Sequence, residues 1–107
     1  MNIKKYNKLV RDQIPEIING EGKTCVVETL NQAEYLIMLE AKLDEELNEY
    51  HMDHSIEELA DLLEVIYATV KASGYTKEDL ERIRLKKAKL RGTFEKRLLL
   101  KEVIDSI

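Results

Sequence analysis

The chain reads as an all-α protein, an antiparallel helical bundle built around a two-helix hairpin. Three observations predict this. Glycine and proline are scarce, four and one among 107 residues, so few breaks interrupt the pattern. Apolar residues recur at spacings of three and four over two long stretches. A Ser, Thr or Asn followed three residues later by Asp or Glu stands at three places where a helical pattern begins, which is the mark of a helix N-terminus.

The elements follow in order. Pro15 with Glu-Ile-Ile behind it suits the first turn of a short helix that stops at Asn19-Gly20. Residues 24–29 include Thr-Cys-Val-Val, a β-branched run that predicts a short extended segment. Asn31 and Glu34 open a long helix to about Tyr50, with Leu36, Leu39, Leu43, Leu47 and Tyr50 on one face. His51 to His54 forms the connection, and its shortness forces an antiparallel hairpin. Ser55 and Glu58 start the second long helix, with Leu59, Leu62, Leu63, Ile66 and Val70 as core positions and Gly74 as a left-handed stop. Thr76 and Asp79 open a further helix to about Arg91, with Gly92 just beyond it, and residues 97–103 read as an extended tail. No repeat or linker divides the chain, so residues 1–107 are expected to form a single domain.

Charge adds a second layer. The formal net charge of −4 conceals two opposed blocks. Residues 28–64 carry twelve acids against Lys42, a net of −11, and residues 82–101 carry nine bases against Glu95, a net of +8. No apolar run approaches the roughly 20 residues that a membrane helix requires. The polar amino terminus is not followed by an apolar signal-peptide core, so the expectation is a cytoplasmic protein with no membrane partner. The lone Cys25 has no second cysteine to pair with in the chain and reads as a small buried hydrophobe.

Within the acidic block, Glu46 with Glu49 and Glu58 with Asp61 share an i, i+3 spacing that puts each pair on neighbouring positions of one helical face. Both pairs border the leucine seams along which the hairpin helices meet, so four carboxylates can converge there. Like charges so placed repel, and a hard divalent cation relieves the repulsion. Mg²⁺ prefers oxygen ligands, keeps several waters and bridges carboxylates to substrate phosphates. A solvated acidic face fits the same residues equally well. Glu45, Glu57 and Glu64 fall farther from the seams and belong to solvent or to the outer surroundings of the site.

The basic residues run from Arg82 to Lys101, with Lys8 and Arg11 ahead of the first helix. Their forks and ammonium groups suit phosphate oxygens. Pairing with acidic neighbours and the helix dipole is the competing fate, and a nucleic-acid footprint is a third. The overall acidity, with Phe94 as the sole aromatic in the basic stretch, disfavours nucleic acid as a partner.

Four strings carry a resemblance. Residues 6 to 18 read Tyr-Asn-Lys-Leu-Val-Arg-Asp-Gln-Ile-Pro-Glu-Ile-Ile, residues 45–49 read Glu-Glu-x-x-Glu, residues 57–61 read Glu-Glu-Leu-Ala-Asp, and residues 91–94 read Arg-Gly-Thr-Phe. In this order they resemble the phosphoribosyl-ATP pyrophosphohydrolase-like branch of the MazG-like all-α nucleoside triphosphate pyrophosphohydrolases, over nearly the whole chain. The resemblance implies an α-helical homo-oligomer, a dimer or dimer of dimers. It also implies Mg²⁺, with Mn²⁺ as a possible substitute, and cleavage of a nucleoside triphosphate-like substrate between the α and β phosphates. The family's metal ligands map onto Glu46, Glu49, Glu58 and Asp61. Phosphate contacts are assigned to Lys8, Arg11, Lys87 and Arg91.

Two departures stand out. Eight residues separate Glu49 from Glu58, a shorter connection than many members have, and the usual Gly-Gly-Phe near the carboxyl end is Gly92-Thr93-Phe94 here. The expected chemistry is in-line attack of water on a housecleaning or phosphoribosyl-ATP-like nucleotide, with Glu49 or Glu46 taking the proton. His51 and His54 are expected as exposed loop residues, and Tyr35, Tyr50 and Tyr67 as core edge. A catalytically silent helical dimerisation or regulatory module on the same scaffold is the alternative.

Overall fold

The computed structural model describes residues 2–105, and every regular element among them is an α-helix. In chain order these are α1 (Ile14–Gly20), α2 (Gln32–Asp53), α3 (Ile56–Ala72) and α4 (Lys77–Arg91). The chain divides between Tyr75 and Thr76 into two compact units, the first holding α1 to α3 and the second α4 and the segment after it. Residues 24–29 and 97–103 lie outside the helices, and neither pairs in a sheet among the described residues.

Each long helix starts at the residue that the sequence marks. The Asn31 side chain accepts from the Glu34 N–H at 2.9 Å, and the Ser55 hydroxyl accepts from the Glu58 N–H at 3.3 Å. These bonds satisfy amides that have no partner inside the helix. A reciprocal capping box forms at Thr76 and Asp79, where each side chain accepts from the other residue's backbone N–H. At Glu58 the carboxylate has another destination, described below.

The connection between α2 and α3 is tighter than the sequence predicts. His51 was expected in a loop, yet α2 runs through it to Asp53, leaving His54 and Ser55 between the helices. His54 takes the left-handed conformation (φ 57°), and its N–H bonds the Tyr50 carbonyl at 2.7 Å, closing the last turn. Ser55 then caps α3 at once. At the far end, Gln32 at the start of α2 donates to the Ala72 carbonyl at the end of α3 (2.6 Å), so the pair is antiparallel.

The packed faces are rotated from those the leucine pattern suggests. Leu39 on α2 and Val65 on α3 are 3% and 8% exposed, the two fully buried apolar residues among those described. Leu47, Leu59 and Leu63, expected in the seam, are 42%, 40% and 43% exposed. At about 100° per residue, the half-buried positions of α3, among them Glu58, Asp61, Leu62 and Thr69, centre roughly a quarter-turn from the expected face. On α2 the same rotation draws Tyr35, Lys42 and Glu46 inward. Polar side chains thus share the seam with Leu39 and Val65. Leu47, Leu59 and Leu63 look outward.

Candidate metal centre

The rotation of the two faces is what assembles the acidic cluster. Glu46 stands seven residues beyond Leu39, two turns along the same face, and Glu58 stands seven residues before Val65. Because the helices run antiparallel, the end of α2 meets the beginning of α3. One carboxylate oxygen each from Glu46, Glu58 and Asp61 lies within 4.8 Å of the others, and all three residues are half-buried. Glu58 spends its side chain here and not on the Ser55 amide.

Glu49, predicted as the fourth ligand, is exposed one turn beyond Glu46. It lies close enough for its charge to be felt. Partial desolvation raises the Glu58 carboxyl above the usual carboxylate range, and the negative charges of Asp61, Glu49, Asp53 and Glu46 add to that. Among the described residues no cation pairs with Glu58.

The other two carboxylates of the trio do have counter-ions. Lys42 reaches Glu46 at 3.3 Å and Glu45 at 3.1 Å, the i, i+4 and i, i+3 neighbours on its own helix. Arg11, from the segment before α1, bonds an Asp61 oxygen at 2.6 Å. Lys8 from the same segment donates to Glu45 at 2.9 Å. That bond, with the charges of Glu45, Glu49 and Glu46, outweighs desolvation and holds the Lys8 ammonium above its usual value. For Glu45, desolvation is the largest influence and pushes upward. The hydrogen bonds from Lys8 and Lys42, with their charges, together overcome it and leave the carboxyl below its usual value.

Lys8 and Arg11, assigned from the resemblance, therefore sit at the carboxylates. Lys87 and Arg91, assigned with them, are exposed on α4 in the second unit. Glu45, expected in solvent or the outer surroundings of the site, is half-buried and takes both Lys8 and Lys42 there. No role was given to Lys42, although it is the one base of the acidic block and its spacing to Glu45 and Glu46 is legible. The bond from Arg11 to Asp61 spans 50 residues, and no local pattern announces it. Glu57 and Glu64 are exposed, as expected of solvent-facing acids. His51 is exposed within α2, and the exposed His54 sets its ring edge-on to Tyr50 with centroids 5.2 Å apart. Cys25 is half-buried.

The donor set suits a hard cation. Three carboxylates offer oxygen alone, which is the donor type that Mg²⁺ takes. Glu46, Glu58 and Asp61 are the residues that could hold it, with Glu49 at the margin.

Among the described residues no helix is long and apolar enough to cross a membrane. No family model matches the chain, and no solved structure matches it. A stretch of 42 residues is 55% identical to an uncharacterized protein of Mycolicibacterium smegmatis (strain ATCC 700084 / mc(2)155), covering 39% of this chain and 43% of that protein. The match thus spans less than half of either chain.

Proposed function

We propose that this chain is a Mg²⁺-dependent nucleotide pyrophosphohydrolase. It takes water and a nucleoside triphosphate-like substrate to a nucleoside monophosphate and pyrophosphate, breaking the bond between the α and β phosphates. The observation that carries the reading is the convergence of Glu46, Glu58 and Asp61 from two helices to within 4.8 Å, beside cations from a third segment. Bound there, Mg²⁺ would neutralise phosphate oxygens and act as a Lewis acid. Glu49 or Glu46 takes the proton of the attacking water. Lys8 and Arg11 stabilise charge on the pyrophosphate leaving group. The working state is a cytoplasmic homo-oligomer.

A panel of standard and modified nucleoside triphosphates, incubated with Mg²⁺ and assayed for pyrophosphate, tests this directly. Glu46→Gln and Asp61→Asn should each cut release by about 100-fold or more while the helical circular dichroism persists. Unchanged turnover in both removes the carboxylate assignment.

A second reading draws on the pairing of Asp61 with Arg11 and of Glu46 with Lys42, which gives two of the three carboxylates counter-ions from the chain itself. On that reading the chain is a catalytically silent module. An unfolding temperature that does not move with Mg²⁺ or Mn²⁺ favours it, since an ion bound to the native state alone must raise stability.

A further inference from the structure

We infer that residues 2–13 form a strap whose Arg11 covers Asp61 until a divalent cation takes its place, so that cation binding releases the strap toward the substrate's phosphates. This rests on the metal reading above and concerns regulation of that same site. The strap has no helix or strand of its own, yet it is pinned at two points three residues apart. Lys8 bonds Glu45 of α2 and Arg11 bonds Asp61 of α3, at 2.9 and 2.6 Å, so it crosses the hairpin where the carboxylates meet.

Asp61 belongs to the trio, and a guanidinium in contact with its oxygen stands where a divalent cation's charge would repel it. The two cations compete for that carboxylate. Exchange is easy because the Arg11 and Asp61 side chains are 59% and 42% exposed, and ion pairs of that exposure are weak. Moving the strap breaks no regular structure. Lys42 contrasts with it: it lies on the same helix as Glu46, and these side chains are only 17% and 13% exposed, so this counter-ion stays. Once released, the Arg11 fork can grip phosphate oxygens with two parallel bonds.

The test uses the full chain and Mg²⁺ alone. Calorimetry should show Arg11→Gln binding Mg²⁺ up to about fivefold more tightly than the wild type, the span of an exposed ion pair. Arg11→Lys should lie between them, and Lys5→Gln, which removes the same charge elsewhere in the strap, should leave the affinity unchanged. In the wild type, the ¹⁵N heteronuclear NOEs of residues 9–12 should fall as Mg²⁺ is added, a readout that needs no variant to fold. Mg²⁺ binding with unchanged NOEs and equal affinities in Arg11→Gln and wild type overturns the strap and leaves the metal site standing. Equal tightening in Lys5→Gln overturns it as a general charge effect. No Mg²⁺ binding in either wild type or Arg11→Gln removes the metal site and the strap together.

Discussion

Leu39 and Leu47 are the same residue type, two turns apart on one helix, and an amphipathic pattern treats them alike. The structure separates them: Leu39 is 3% exposed and Leu47 is 42% exposed. Truncating a fully buried leucine removes its transfer free energy and leaves a cavity, so Leu39→Ala should cost about 2–5 kcal/mol. Leu47→Ala removes surface that is already wet and should cost less than about 1 kcal/mol. Urea unfolding of the two variants checks this, and equal losses would return the packed face to where the leucines alone point. The deciding residue is Lys42. Its bonds to Glu45 and Glu46 supply the counter-charge that lets an acidic side chain sit beside the seam, and an i, i+4 pair contributes roughly 0.5 kcal/mol even when exposed.

The helix starts were the most legible elements, because a cap is a local bargain between a side chain and an amide three residues away. Asn31, Ser55 and Thr76 all stand where the sequence puts them. The helix end at Asp53 was less legible, since continuation through His51 depends on how soon the next cap can form. Of these elements α4 carries the clearest pH signature. The Thr76 backbone N–H, then Arg82, then the Thr76 hydroxyl hold the Asp79 carboxyl below the usual aspartate range. A depressed folded pKa contributes stability that is fully present above the unfolded value and lost as pH falls through the folded one. Amide-exchange protection across Lys77–Arg91 should therefore hold at neutral pH and decline below the ordinary aspartate pKa. Glu81, held low by Arg84, declines in its own acidic window, below the ordinary glutamate value. Asp79→Asn keeps an acceptor for the Thr76 amide but cannot titrate, so it should flatten part of that decline. An acid limb unchanged by the substitution would place the titration elsewhere.

At the scale of the whole molecule, the acidic trio was half legible. The spacing of Glu46, Glu58 and Asp61 placed them along the seams. Their convergence needed the antiparallel register, and the Arg11 that meets Asp61 comes from 50 residues away in sequence, with Lys8 beside it on the neighbouring Glu45. The same rotation that draws Glu46 and Glu58 inward turns Leu47, Leu59 and Leu63 outward, joined in exposure by Ile37 and Ile56 at 66% and 76%. A chain that fully buries two apolar side chains among its described residues has a thin core, and apolar surface of this extent on a helix pair is ordinarily covered by another protein surface. The expectation is self-association through the outward leucines of α2 and α3, since closed symmetric contacts between copies are the commonest way to cover such a face. Light scattering should then return an integer multiple, two or more, of the single-chain mass. Leu63→Glu, which sets a charge among the exposed leucines of that face, should lower the mass toward one chain while the helical circular dichroism remains. A wild-type chain that stays single at every concentration would mean that these leucines face water in the working protein.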